Sequence, residues 1–186
     1  GEGGMVVTKS DKLFERLRGL RSHGMTVPSF DRFKGRAITY DVAMPGLNYR
    51  IDEIRAALGL VQLKKLDGAN EARTKLVNHY YECLDGINGI KIPFRHFMRG
   101  KPNFHIMPIM LEDGIDRIAV IESMKADEIQ TSIHYPVIQN FTGYKGIVNK
   151  TPKALYASEH ELTLPLFPTM TIAEVDLVCE ALIKAL

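Results

Sequence analysis

Asn48 and Arg50 carry the clearest chemical signal in this sequence, because both stand just ahead of its strongest helical pattern. A helix N-terminus presents free N–H groups and partial positive charge, which together make an anion site. Asn48 can donate an amide hydrogen there, and Arg50 can offer a bidentate charge to a phosphate or carboxylate. A capping reading fits the same residues, since Asn is a favoured N-cap and Arg is common at surfaces. On chemistry alone both readings stay open.

Other reactive residue types carry less. His134-Tyr135-Pro136 ends an expected strand and could serve a polar ligand, although histidine at a strand end is more often a hydrogen-bonded structural residue. His105 and Tyr135 read more readily as packing residues. Gly1-Glu2-Gly3-Gly4 lacks the Lys-Ser/Thr ending of a phosphate loop and precedes a strand-like run, so a tight turn is expected. Arg95, His96, Arg99 and Lys101 have no aromatic stacking platform beside them and read as a solvated hairpin tip. The sequence shows no metal-ligand spacing and no nucleophile paired with a base in a known motif.

The elements that must position these residues follow from periodicity and punctuation. Met5–Thr8 is expected as a short strand. A helix follows, capped by Ser10 or Asp11, with Leu13, Phe14, Leu17 and Leu20 on its apolar face and an end near His23-Gly24. From about Met25 to Gly46 no period persists, and Pro28, Ser29, Gly35, Pro45 and Gly46 mark a long loop, of a length that is usually functional or disordered. Ile51, Ile54, Leu58 and Val61 then keep one helical register. Ala56, Ala57, Leu60 and Leu63 widen the stripe enough to require cover on more than one side. Asp52 and Glu53 suit the first turn, a break is expected near Gly68, and helix resumes to Asp85-Gly86.

Beyond that point strands enter at Ile90–Pro93 and Phe104–Leu111, joined as a hairpin, and again at Gln130–His134. Helices are expected at Ile115–Lys125, Pro152–Ser158 and Thr171–Leu186, the last turning Val175, Val178, Leu182 and Leu186 inward. Mixed elements with hairpin connections indicate an α+β layer here, not a doubly wound sheet.

Composition narrows the class. The chain has 186 residues, 45% hydrophobic and 25% charged, the profile of a globular domain with ample core. A formal charge of +2 implies neither a nucleic-acid nor a membrane partner. Cys83 and Cys179 form no C-x-x-C pair and read as free, buried thiols of a reducing compartment. No run reaches membrane-spanning length and the start has no signal-peptide character, so cytoplasm is the expected location. The abrupt opening, from glycines straight into Met5-Val6-Val7-Thr8, reads as that of a fragment.

In this order, the motifs resemble the DegT/DnrJ/EryC1/StrS sugar aminotransferase family. Gly1-Glu2-Gly3-Gly4-Met5-Val6-Val7-Thr8 is similar to its strand after the cofactor-linking lysine, and Leu20-Arg21-Ser22-His23-Gly24 to its Leu-Arg-x-His-Gly segment. The run from Gly46 to Leu63 is the most specific match; His134-Tyr135-Pro136 and the run from Leu162 to Thr171 resemble its closing segments. The resemblance implies an α/β chain, the C-terminal part of an aspartate-aminotransferase-like fold. Residues 1–46 would be the tail of the large pyridoxal-phosphate domain and interface loop, 47–86 a linking helical region, and 87–186 a small α+β domain. It implies pyridoxal phosphate as cofactor, and a homodimer with shared active sites. The reaction implied moves an amino group from an amino acid, usually glutamate, to a keto sugar nucleotide.

Residue by residue, Asn48 matches a position reaching the partner's cofactor phosphate, and Arg50 an accompanying arginine. His134 and Tyr135 match a loop lining the substrate side. The family's lysine would stand a few residues before Gly1, and none of Lys9, Lys12 or Lys34 takes its place. The chain alone is therefore expected to hold no catalytic residue and to be inactive. Val137-Ile138-Gln139-Asn140 stands where many members carry a histidine, which leaves the acceptor sugar open. The alternative reading is a non-catalytic binding or regulatory paralogue of the same fold.

Overall fold

Three short antiparallel strands and the helices packed on them hold the core. In the computed structural model, which describes residues 2–27, 33–35, 39–96, 100–146 and 151–186, the elements are α1 (Asp11–Leu20), α2 (Glu53–Cys83), β1 (Ile90–Lys91), β2 (Met107–Leu111), α3 (Arg117–Ala126), α4 (Pro152–His160), β3 (Glu161–Leu164) and α5 (Ile172–Ala185). Two compact units divide the chain, Gly1–Lys65 and Leu66–Leu186, and the division falls within α2.

In the second unit the strand order is β1-β2-β3. Ile90 pairs with Leu111, Ile109 with Leu162 and Met107 with Leu164. β2 alternates, burying Met107, Ile109 and Leu111, as a strand with one covered face must. The cover comes from Leu76, Val77 and Tyr80 of α2, Val120 and Met124 of α3, and Val175, Val178 and Leu182 of α5. Each aliphatic side chain fully buried here contributes about 1.5–3 kcal/mol, so this cluster dominates the unit's stability. Tyr80 is fully buried, and its hydroxyl donates to the Pro165 carbonyl at 2.8 Å. Burial drives its ionisation far above the usual tyrosine range, so this is a neutral structural tyrosine.

Local sequence explains the helix ends. Ser10 Oγ accepts from Leu13 N, and Asp116 accepts from Ile118 N and Ala119 N. Thr171 and Glu174 form a reciprocal capping box at α5. The exposed Glu174 carboxyl is held below its usual range, first by the Thr171 backbone N–H and then by the Thr171 hydroxyl.

Several sequence expectations need correction. Met5–Thr8 is no strand: among the described residues nothing pairs with it, and Met5 and Val7 are each 86% exposed. Strand propensity forms no strand without a ladder partner. The expected tight turn at Gly1–Gly4 is also missing from its described part, Glu2–Gly4, while Gly1 lies outside the described residues. Helix α2 passes through Gly68 unbroken, since one glycine costs a helix only about 1 kcal/mol. Leu13, Phe14, Ile54, Leu58, Leu60 and Leu63 stay exposed in this chain, so the apolar stripes of α1 and early α2 are not covered here. Leu186 does not turn inward but is 38% exposed, one residue past the end of α5. The strand expected at Gln130–His134 shrinks to one bridge, Ser132 with Thr163. β3 itself falls in a run where the periodicity predicts no strand, because all four of its residues are buried and no alternation marks it. Pro28, Ser29 and Arg99 lie outside the described residues.

Candidate functional site

In the first unit, two segments separated by the long loop clasp each other. After α1 the chain turns through His23 (φ 60°) and Gly24 (φ 71°), which brings residues 20–26 alongside 41–49. Leu47 N donates to Leu20 O at 2.7 Å, His23 N to Leu47 O at 2.8 Å, and Tyr49 N to Arg21 O at 2.8 Å. Farther along, Ala43 N donates to Gly24 O at 3.0 Å and Thr26 N to Asp41 O at 2.9 Å. The fit admits no side chain at two points. A Cβ on Gly24 would lie 1.7 Å from the Met44 carbonyl oxygen, and one on Gly46 would lie 2.2 Å from Gly24 N. These glycines are therefore required by close backbone approach.

The clasp carries both predicted anion-binding residues. Asn48 is bridged to Ser22, and Arg50 Nε donates to Ser22 Oγ at 3.2 Å. Both side chains are exposed. Among the described residues, nothing engages the Asn48 amide group or the two terminal nitrogens of Arg50. Arg50 is thereby oriented by one bond and keeps its charged fork for another partner.

The geometry also separates Asn48 from the helix start. α2 begins at Glu53, and its cap is Asp52, whose carboxylate accepts from Arg55 N at 2.8 Å. Asn48 is therefore no cap, and the α2 terminus already has its own negative charge. Among the described residues of the clasp, the side chains of Asn48 and Arg50 are donors left open to an anion. That set fits the oxygens of a phosphate.

His134 and Tyr135 lie in the second unit. The His134 backbone N–H donates to Glu161 Oε2 at 2.8 Å, and His134 Nδ1 lies 2.8 Å from Thr163 Oγ1. The Thr163 hydroxyl in turn donates to the other Glu161 oxygen. Farther on, Val137 N donates to Ser158 Oγ at 2.8 Å, and Gln139 Oε1 accepts from Thr151 at 2.7 Å. The buried Thr163 hydroxyl thus fixes the His134 ring, and the buried Glu161 carboxylate holds both that hydroxyl and the His134 backbone. Tyr135, expected as a packing residue, is instead 71% exposed, and its ring meets His134 edge-on at 4.9 Å. His105 is likewise exposed, not packed.

Glu161 and Thr163 escaped notice in the sequence. Their i, i+2 spacing in a strand puts both on one face, but nothing local shows that His134 lies opposite. The basic hairpin needs a second correction. Arg95 is paired with Asp85 and lies 5.6 Å over the Tyr81 ring, so it is a packed residue and not a solvated tip.

Also in the second unit, His79, Cys83 and Asp176 converge, a grouping of side chains that the sequence pattern does not single out. Both cysteines are free; Cys179 is buried, and burial followed by the neighbouring Cys83 pushes its thiol up to about 12.

Comparison with known proteins places these features in context. The family model of the DegT/DnrJ/EryC1/StrS aminotransferases matches residues 1–183. The spore coat polysaccharide biosynthesis protein SpsC of Bacillus subtilis is 32% identical, over 97% of this chain and 49% of its own. Among solved structures, S. venezuelae DesV in complex with a ketimine intermediate aligns with a TM-score of 0.80 and 27% identity, over 96% of this chain and 45% of that one. The putative sugar aminotransferase Spr1654 from Streptococcus pneumoniae, in its PLP form, shares the fold with a TM-score of 0.81 and 24% identity, over 96% and 44%. The chain spans about half the length of the relatives it matches.

Proposed function

We propose a function that starts from one fact: the chain belongs to the DegT/DnrJ/EryC1/StrS aminotransferase family. It is part of a pyridoxal-phosphate enzyme that moves an amino group from an amino acid, glutamate in the proposal, to the keto group of a nucleotide-linked sugar. The observation that carries this reading is the clasp. It joins the Leu20–Gly24 and Gly46–Arg50 motifs, which are separate in sequence, and leaves Asn48 and the Arg50 fork exposed and, among the described residues, unengaged.

When bound, the cofactor supplies an electron sink for bonds at the amino-bearing carbon. This chain's residues bind and orient. Asn48 donates to the cofactor phosphate of a partner subunit in a homodimer, and Arg50 adds charge beside it. His134, its ring held by Thr163 with Glu161 behind, and Tyr135 line the substrate side. Residues 1–46 act as the tail of a large domain, 47–86 as the link and 87–186 as the small domain of a cytoplasmic enzyme. The cofactor-linking lysine belongs to a part of the fold outside this chain.

The test is amino transfer from ¹⁵N-glutamate to a keto sugar nucleotide, with borohydride reduction and peptide mapping of the product enzyme. The enzyme containing this chain is expected to label the sugar, and the chain alone is expected to do neither chemistry nor trap cofactor on a lysine. One stoichiometric cofactor-bearing lysine within residues 1–186 would overturn the assignment. A full-length enzyme that labels no keto sugar would overturn the function.

Arg50 separates binding from folding. Its side chain is exposed and makes one bond to Ser22, so Arg50→Ala should change thermal stability by no more than about 0.5 kcal/mol. Cofactor or substrate affinity is expected to fall about tenfold, the scale of one charged hydrogen bond. A collapse of the melting temperature with unchanged affinity would give Arg50 a structural role only.

A further inference from the structure

His79 and Cys83 are four residues apart on α2 and so share one helical face, while Asp176 stands in the first turn and a half of α5. His79 Nε2 lies 2.6 Å from Asp176 Oδ1 and 3.4 Å from Cys83 Sγ, and Cys83 Sγ lies 3.6 Å from the same Asp176 oxygen. As a hydrogen-bond network this is crowded. Nε2 carries at most one proton, and the single carboxylate oxygen must serve both the ring and the thiol. As a set of electron-pair donors around one point, the arrangement is natural.

We propose that His79, Cys83 and Asp176 form a binding site for a divalent transition metal, with Zn²⁺ the best-matched ion. Zinc takes nitrogen, thiolate and carboxylate ligands at about 2.0–2.3 Å in tetrahedral geometry, which sets ligand-to-ligand edges of about 3.4–3.6 Å. The two edges that include the sulfur already have these lengths. The third, between His79 and Asp176, must open by about 0.8 Å to reach the tetrahedral value. Asp176 has room for this, because its side chain is 48% exposed.

A second observation supports the site. The other ring nitrogen of His79 faces a carboxylate: Nδ1 lies 3.6 Å from Glu82 Oε2, on the next turn of the same helix. The contact is longer than a hydrogen bond, but a small turn of the exposed Glu82 side chain would let it accept from Nδ1–H and so favour the tautomer that leaves Nε2 for the metal. Binding forms a metal–sulfur bond and breaks the Cys83 S–H bond, and the thiol proton leaves to solvent. The ion links α2 to α5, and the fourth position, on the exposed Asp176 side, takes water. The site is independent of the aminotransferase chemistry proposed above.

The test is Co²⁺ titration of the protein containing this chain, stripped of metal by chelation and read as difference spectra. One equivalent per chain should produce tetrahedral d–d bands with a thiolate-to-cobalt charge-transfer band, both displaced by Zn²⁺. Cys83→Ser should abolish the charge-transfer band. Asp176→Asn, a change at a half-exposed side chain that leaves the fold intact, should weaken Co²⁺ binding tenfold or more. Cys179→Ser should leave the spectrum unchanged. The proposal is overturned if the wild-type protein gives no thiolate band, if that band survives Cys83→Ser, or if Asp176→Asn binds as tightly as wild type.

Discussion

Gly24→Ala is expected to open the clasp in the first unit and to destabilise it by about 2 kcal/mol or more. Two effects act together. Gly24 sits at φ 71°, where a side chain costs about 1–2 kcal/mol. The added Cβ would also lie 1.7 Å from the Met44 carbonyl oxygen, a distance that only backbone movement can relieve. That movement must stretch the bond from Ala43 N to Gly24 O and its neighbours, each contributing about 1 kcal/mol. Amide hydrogen exchange reads the result directly. Protection at Ala43, Leu47 and Tyr49 should fall together, while the second-unit amides of β2 stay protected. Gly68→Ala is the matched control. It lies inside α2, and an added Cβ would meet nothing within 4 Å beyond the helix's own backbone, so the change should stabilise the helix by about 1 kcal/mol. Equal behaviour of the two variants would mean that the clasp is not a close backbone contact.

Asn48→Ala is expected to weaken cofactor retention about tenfold or more in the full-length enzyme. A hydrogen bond to a charged group typically contributes about 1.5–3 kcal/mol, and each 1.4 kcal/mol is a factor of ten. The substitution should leave folding unchanged, since the Asn48 side chain is exposed and the cap of α2 belongs to Asp52. In the proposed shared site the defect is complementable. Mixing a subunit that lacks only the cofactor-linking lysine with one that lacks only Asn48 should give hybrid dimers with one doubly deficient site and one intact site. Recovered activity in the mixture supports a site built from two subunits. Mixtures as inactive as their parents, with subunit exchange demonstrated, would assign Asn48 to its own chain and end the shared-site argument.

The order of the motifs was enough to identify the family, yet the physical reason for their joint occurrence lies in the clasp. Gly24 and Gly46 are twenty-two positions apart, and a side chain on Gly46 would strike the Gly24 backbone while one on Gly24 would strike the Met44 carbonyl. Read separately, they suggest only a helix C-cap and a loop end. Likewise, His134 is a lone strand-end histidine in the sequence, and becomes an oriented group only through Glu161 and Thr163.

Features under local control could be read from the residues alone. The helices at 11–20, 117–126 and 172–185 were legible because their hydrogen bonds join residues four apart and their caps are encoded next to them, in Ser10, Asp116 and Thr171. The apolar period of α5 likewise identified Val175, Val178 and Leu182 as core. The remaining features depend on long-range packing. Met5–Thr8 has strand residues but no ladder partner among the described residues, and β3 has partners without an alternating pattern. The approach of Asp176 to His79 and Cys83 spans more than ninety positions of chain, and it follows from the packing of α5 and α2 into one core. Pairing and convergence depend on which surfaces meet, and no window of neighbouring residues encodes that.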